Sequence, residues 1–274
     1  MNMASCEHCT QGYVLPGEPE GTLVDGAYFH AAPSAAEGNI EQSSRAIVLL
    51  TDIFGLPLKN SKIIADTLST SVGCDVWIPD IFAPEGPPVE ADEMEPLVAQ
   101  RPGENTSFFN KLRFLFLVVT RLHKFYALRA SVVDARAAAF VKKLKEEKKY
   151  TKIGAVGYCF GGAMAVRLGS AGLFDAIVIA HPGRVTLAEV EAIKVPSSWA
   201  CAEDDMTFKK PLRDQAEAHF AGRKGKPEYI EYEFVDYKGT VHGFAARPNF
   251  AISEVVEAFN GALDQTVAWF KKYL

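Results

Sequence analysis

Residues 153–162 read Ile153-Gly154-Ala155-Val156-Gly157-Tyr158-Cys159-Phe160-Gly161-Gly162, and they join an apolar run to a helical pattern. A G-x-C-x-G-G segment between a buried strand and a helix is typical of a nucleophile elbow, here with Cys159 in the place of serine. Glycines are needed there because strand and helix approach closely at a strained turn. The segment predicts a cysteine whose thiolate is favoured by a helix N-terminus, with the N–H of Phe160 pointing towards a developing oxyanion. A buried cysteine in a glycine-rich turn is the competing interpretation.

Apolar runs alternate with helical patterns on both sides of this segment. Residues 46–50 are apolar throughout, which is typical of a central parallel strand with both faces covered. Further strand patterns lie at 75–78, 152–157, 176–180, 197–202 and 229–235. Because helical patterns separate these runs, we expect an α/β-hydrolase fold: a mostly parallel central sheet with helices on both faces, in three layers.

No internal repeat or linker divides the chain, so residues 1–274 are predicted to form a single domain. Residues 1–44 are interpreted as an N-terminal extension with a short hairpin. Residues 80–125 are interpreted as an insertion near the mouth of the active site, with a helix over 107–124. The apolar residues 114–119 within that helix are expected to be buried or to line the pocket.

Composition sets limits on partners and location. The chain has 274 residues, a formal net charge of −5 and a pI of about 5.7, without a sustained basic run. No apolar stretch reaches the ~18 residues that cross a bilayer, and the N-terminus lacks the features of a signal peptide. We therefore expect a cytoplasmic protein that binds neither nucleic acid nor membranes.

The cysteines do not suggest a disulfide framework, because five in a chain of this length is an odd and sparse count. Cys6 and Cys9 have the spacing of half a zinc knuckle. No second pair follows that would complete a four-ligand site, so a loop with free thiols is the preferred interpretation and no metal is expected.

Candidate partners for Cys159 follow it in the chain. In an α/β-hydrolase the order is nucleophile, acid, base, and His242 lies between the last strand and the last helix, where the base is expected. The acid should follow the strand at 197–202, where Asp205 is favoured and Asp204 remains the alternative. His181 also ends a strand, but it comes too early in the chain to be the base and is assigned to the pocket rim.

These residues together resemble the dienelactone hydrolase family. The resemblance rests on Gly157-Tyr158-Cys159-Phe160-Gly161-Gly162, Asp52-Ile53-Phe54-Gly55, Asp205 and His242-Gly243-Phe244, and it extends from about residue 22 to the C-terminus. It implies a hydrolase of esters or lactones that uses a Cys-His-Asp triad and a thioester acyl-enzyme. It further implies a small-molecule substrate, no cofactor, and a monomer or at most a weak homodimer.

The resemblance also assigns auxiliary residues. Ile53 corresponds to the position whose backbone N–H is the second oxyanion donor, beside that of Phe160. Asp52 stands where bacterial members have a glutamate that contacts the resting cysteine. Arg247 lies near the position of an arginine that holds a substrate carboxylate, one residue further along the chain.

Two other classes of function remain open from the sequence. A cysteine-dependent thioesterase or peptidase on the same fold would use the same residues, because they do not define the leaving group. A hydrolase fold retained only for ligand binding is the non-enzymatic alternative. The presence of Cys159, His242 and an acidic turn together favours an enzyme.

Overall fold

A mixed sheet of eight strands lies at the centre of the computed structural model, which describes residues 13–33 and 43–274. In chain order the strands are β1 (Thr22–Val24), β2 (Ala27–His30), β3 (Arg45–Leu50), β4 (Asp75–Ile78), β5 (Lys152–Tyr158), β6 (Ala176–Ala180), β7 (Ser197–Asp204) and β8 (Tyr232–Val241). They lie side by side in the order β1-β2-β4-β3-β5-β6-β7-β8. Neighbours from β4 through β8 are parallel, and only the pairs β1–β2 and β2–β4 are antiparallel.

Helices cover both faces of this sheet. They are α1 (Asn60–Val72), α2 (Ala91–Met94), α3 (Phe108–Thr120), α4 (Leu122–Ala127), α5 (Ala130–Lys148), α6 (Phe160–Leu168), α7 (Leu187–Glu191), α8 (Lys210–Ala221) and α9 (Ser253–Tyr273). Apolar side chains of α1 and α9 pack on one face, and those of α5, α6, α7 and α8 pack on the other. The predicted three-layer α/β fold is therefore confirmed.

The central strands are buried on both faces, as their unbroken apolar sequences predict. Every residue from 46 to 50 and every residue of β6 is buried. The strand β3 lies between β4 and β5. The chain passes from β3 to β4 on one side of it and later returns as β5 on the other side of β3, so the strand order reverses at this point. Ligand sites of open α/β sheets lie beyond the carboxyl ends of the strands at such a point. Asp52 follows β3 there, and Cys159 follows β5.

The helix predicted over 107–124 differs from expectation in two ways. It is broken near Arg121 into α3 and α4, and the expectation that residues 114–119 are buried or line the pocket is wrong. Large apolar side chains of α3 face outwards: Phe108, Phe109, Leu112, Leu115, Phe116 and Val119. Hydropathy shows that a helix carries an apolar face, but it does not show whether another element covers that face.

The N-terminal hairpin is present, with Thr22 opposite Phe29 and Val24 opposite Ala27 across a turn at Asp25 and Gly26. Cys6 and Cys9 lie outside the described residues. Among the helices that the structure does describe, none combines the length and the apolar character needed to cross a bilayer.

Candidate active site

Cys159 occupies the turn between β5 and α6 in a conformation that is uncommon for a residue with a side chain. Its φ is 50° and its ψ is −109°, and the surrounding chain holds it there. The Cys159 N–H donates to the Ala180 carbonyl at 3.1 Å, and the Cys159 carbonyl accepts from the Gly183 N–H at 2.6 Å. Strained backbone of this kind is concentrated at functional sites, where the surrounding structure over-determines it.

The glycines of the elbow are required by close backbone contacts. A Cβ atom on Gly157 would lie 2.2 Å from the Gly161 carbonyl oxygen, and one on Gly161 would lie 2.0 Å from the Leu50 carbonyl oxygen. The Gly161 N–H also donates to the Thr51 carbonyl at 2.9 Å. Close packing and a hydrogen bond therefore hold the elbow against the end of β3, directly before Asp52 and Ile53.

The strands β7 and β8 bring His242 and the acidic turn together. Both strands run further than the sequence predicts, and their pairing places Asp204 opposite Val241, directly before His242. His242 Nδ1 lies 3.0 Å and 3.1 Å from the two carboxylate oxygens of Asp205. The His242 side chain also interacts electrostatically with Cys159. The structure therefore places His242 between Cys159 and Asp205.

The geometry separates the two aspartates that the sequence left as alternatives. Asp205 is buried and its Oδ1 accepts the backbone N–H groups of Thr207, at 2.8 Å, and Phe208, at 3.0 Å. Asp204 is exposed, and its carboxylate accepts the Gly103 N–H at 3.4 Å. Only Asp205 is aimed at His242.

Thr207 is a neighbour of this pair that the sequence analysis did not identify. Its hydroxyl oxygen lies 2.7 Å from Asp205 Oδ1, 3.1 Å from His242 Nδ1 and 2.7 Å from the Pro182 carbonyl oxygen. The Asp-x-Thr spacing after a strand was an available signal, since Asp side chains commonly accept backbone N–H groups two residues on.

The charged forms of His242 and Asp205 stabilise each other. Burial alone would lower the pKa of His242, but its electrostatic interactions with Cys159 and Asp205, and its hydrogen bond with Asp205, hold that pKa well above its ordinary value. Burial opposes ionisation of Asp205, yet the charge and hydrogen bond of His242 and the two backbone N–H groups hold the pKa of Asp205 well below its ordinary value. The arrangement favours an imidazolium beside the Asp205 carboxylate.

Two backbone N–H groups lie near the Cys159 turn as possible oxyanion donors. Phe160 is the first residue of α6, so its N–H has no acceptor within the helix. Ile53 follows the segment that Gly161 binds through Thr51. Both predicted donors are thus on backbone that the elbow holds at the carboxyl edge of the sheet.

Asp52 and Arg247 form a buried ion pair. Arg247 Nε donates to Asp52 Oδ2 at 2.9 Å, while Asp52 Oδ1 accepts the Phe54 N–H at 3.1 Å. The Arg247 guanidinium lies over the Phe54 ring, 4.7 Å from its centroid. Burial raises the pKa of Asp52, and the positive charge of Arg247 opposes that rise.

A second carboxylate reaches the same arginine. Glu95, in a 3₁₀ turn over Glu95–Leu97, forms an ion pair with Arg247 Nη1. The exposed fractions are 1% for Asp52, 6% for Glu95 and 9% for Arg247. Nothing in the sequence distinguishes Glu95 from the other acidic residues of the insertion. The arginine expected to hold a substrate carboxylate is therefore already paired with two carboxylates of its own chain.

A cavity of about 160 Å³ opens beside His242. Its lining is mainly apolar and comes from the insertion, the acidic turn and the end of β8: Met94, Val98, Ala99, Asp204, Met206, Val241, His242 and Arg247. Met94, Val98 and Ala99, which belong to the segment 80–125, form one wall of the cavity.

The assignment of His181 to the pocket rim is wrong. His181 is fully buried, at 0% exposure, and its ring packs edge-on against that of His242, with 5.1 Å between centroids. Among the described residues neither ring nitrogen has a hydrogen-bond partner. Burial, assisted by the nearby charge of His242, lowers the pKa of His181 to about 3.

His181 should make the protein sensitive to mild acid. The folded state keeps this ring neutral, whereas the unfolded chain binds a proton below about pH 6.5, so stability is lost as pH falls from 6.5 towards 3. We expect His181→Phe to reduce this loss, so that between pH 7 and pH 4.5 its free energy of unfolding falls by roughly 2 kcal/mol less than that of the wild type. Urea denaturation at both pH values measures the difference. His123→Phe, on the exposed surface of α4, is the control, and an equal effect of both variants would contradict the explanation.

The sheet order, the cysteine elbow and the carboxyl-edge position of His242 define an α/β-hydrolase. A solved dienelactone hydrolase from Anabaena variabilis has the same fold, with a TM-score of 0.58 and 13% identity over 94% of this chain and 100% of that one. The family model described as "Dienelactone hydrolase family" matches residues 34–274. This chain therefore belongs to the dienelactone hydrolase family, whose members are hydrolases of ester and lactone bonds.

Two relatives match along most of their length. "Hydrolase tropI" of Talaromyces stipitatus is 29% identical over 269 residues, which cover 97% of this chain and 95% of the relative. The human "Carboxymethylenebutenolidase homolog" is 26% identical over 235 residues, or 85% of this chain and 84% of the relative.

Proposed function

We propose that this hydrolase cleaves small carboxylic esters or lactones through a thioester on Cys159, with His242 as general acid and base and Asp205 as its partner. The observation that carries the proposal is the position of His242 at the carboxyl edge of the sheet, where its Nδ1 lies 3.0 Å from Asp205 Oδ1 and its side chain interacts with that of Cys159. The name of the human relative, a carboxymethylenebutenolidase homolog, supports lactones as one substrate type.

In the first half of the reaction the Cys159 thiolate attacks the carbonyl carbon. A C–S bond forms, the carbonyl electrons move to the oxygen, and the N–H groups of Phe160 and Ile53 stabilise that oxyanion. A donor of this kind contributes about 3 kcal/mol in comparable sites. The ester C–O bond then breaks, and the leaving oxygen takes its proton from the His242 imidazolium.

In the second half, neutral His242 accepts a proton from water as the water oxygen attacks the thioester carbonyl. The C–S bond breaks, the acid is released, and Cys159 and His242 return to the thiolate–imidazolium pair. Asp205 holds Nδ1 of His242, so that Nε2 is the nitrogen that exchanges protons with Cys159, the leaving group and water. Enolate and phenolate leaving groups suit this mechanism. A tetrahedral intermediate that carries both a thiolate and an alkoxide releases the thiolate more readily and returns to the substrate, whereas enolates and phenolates leave easily.

Thiol alkylation tests the pairing of Cys159 with His242 independently of any substrate. We expect iodoacetamide at neutral pH to modify Cys159 ahead of Cys74 and Cys201, because burial raises the pKa of each of those two thiols to about 12. Loss of the imidazolium in His242→Ala should slow alkylation of Cys159 roughly tenfold or more, because the thiolate loses its counter-ion. Peptide mapping by mass spectrometry measures the rate at each cysteine.

The same experiment separates an enzyme from a ligand-binding relative. Fast, His242-dependent alkylation combined with turnover of p-nitrophenyl acetate supports the proposal. An unreactive Cys159 in a folded protein that does not turn over the ester would contradict it. His219 lies in α8, and His219→Ala controls for the general effect of removing a histidine.

A further inference from the structure

We infer that the cavity beside His242 selects esters and lactones whose acyl part carries no negative charge, because the Glu95 carboxylate already forms an ion pair with the Arg247 guanidinium. This inference rests on the proposed function and names the substrate class of that same site. It depends on three buried side chains, Asp52, Glu95 and Arg247, and on the lining of the cavity.

Each cationic side chain that lines this cavity within the described residues already has an anionic partner. His242 lies between Cys159 and Asp205, and Arg247 is paired with Asp52 on one side and Glu95 on the other. With both carboxylates ionised, the Arg247 cluster has a formal charge of −1, whereas Arg247 with Asp52 alone would be neutral. Asp204, which also lines the cavity, adds a further negative charge.

A carboxylate on the acyl group would therefore enter an unfavourable site. It would lose hydration, and it would have to displace Glu95 to gain a charged partner. An uncharged acyl chain meets a different lining, since Met94, Val98, Ala99, Met206 and Val241 offer apolar contacts. Glu95 is thus a specificity-determining residue that acts through Arg247, which lines the cavity.

A pair of matched esters tests this inference. p-Nitrophenyl butyrate and p-nitrophenyl hemisuccinate share a leaving group and an acyl length and differ in a terminal methyl or carboxylate. After subtraction of uncatalysed hydrolysis, we expect the wild type to prefer the butyrate in kcat/KM by roughly a hundredfold. A preference near one in the wild type would overturn the inference without any variant.

Glu95→Gln then tests the role of the residue. This variant keeps the shape of the side chain and leaves Arg247 paired with Asp52 alone, so the cluster changes from a formal charge of −1 to neutral. The preference should therefore fall roughly tenfold, mainly through a lower KM for the hemisuccinate. Glu93→Gln is the matched control, because it removes the same charge from an exposed side chain that pairs with Arg121. The inference fails if both variants change the preference equally, or if neither does.

The failure of this inference differs from the failure of the proposed function. If Cys159→Ala still turns over the butyrate at the wild-type rate, the nucleophile is wrong whatever the preference. If Cys159→Ala is inactive while Glu95→Gln, folded by its thermal melt, keeps the wild-type preference, only the role of Glu95 is refuted.

Discussion

Cys159→Ala is expected to lower kcat on p-nitrophenyl acetate by roughly 10⁴-fold or more, since removal of a nucleophile that acts as part of a unit eliminates the covalent route. The fold should survive, because alanine is smaller than cysteine and the strained turn is held by backbone hydrogen bonds to Ala180 and Gly183. Steady-state rates and circular dichroism on the purified variant measure both effects.

Cys74→Ala provides the control for this experiment. Cys74 is fully buried between α1 and β4, far along the chain from the elbow, and its substitution removes a thiol without touching the site. Its kcat should stay within about twofold of the wild type. Comparable activity in Cys159→Ala and Cys74→Ala would exclude Cys159 as the nucleophile.

Asp205→Asn is expected to have the second largest effect, a loss of roughly 10²- to 10⁴-fold in kcat/KM. Asp205 accepts hydrogen bonds from His242, Thr207 and Phe208. An asparagine would retain one acceptor oxygen and turn an NH₂ group towards a donor, so His242 would lose its anionic partner and its tautomer would no longer be held.

The neighbouring residue offers a matched comparison. Asp204→Asn makes the same chemical change one residue earlier, on an exposed side chain that lines the cavity and is not the carboxylate bound to His242 Nδ1. On an uncharged ester it should lower kcat/KM far less than Asp205→Asn does. The larger loss in Asp204→Asn would move the acid to that residue and overturn the assignment of Asp205. The rates of both variants, measured at one pH on one ester, decide between the two.

Much of the fold could be predicted because its signals are local. The unbroken apolar runs of β3 and β6 are typical of strands covered on both faces, and Gly157 reflects a backbone contact with Gly161, only a few residues further along the chain. Chain order then indicated which histidine follows the last strand. These features depend on short stretches of chain, so pattern and spacing were sufficient to predict them.

Other features depend on contacts between distant parts of the chain, and there the sequence left alternatives or misled. Asp204 and Asp205 are adjacent in sequence, and only the extended pairing of β7 with β8 decides which of them faces His242. His181 was expected at the rim because it ends a strand, yet it is completely buried, with the rings of Tyr158, His242 and Phe244 packed around it. The outward-facing side of α3 shows the converse case, an apolar pattern without a covering element among the described residues.

The amino-acid sequence by itself determined the class of fold, the cysteine elbow and the segments from which the site is built, because strand patterns and tight turns are set by neighbouring residues. Only the tertiary structure decided which carboxylate faces His242 and that Glu95 is paired with Arg247. Glu95 and Arg247 are separated by most of the chain, and their pairing depends on how the insertion folds over the carboxyl edge of the sheet. A contact between buried charges depends on that three-dimensional placement, which residue type and spacing do not encode.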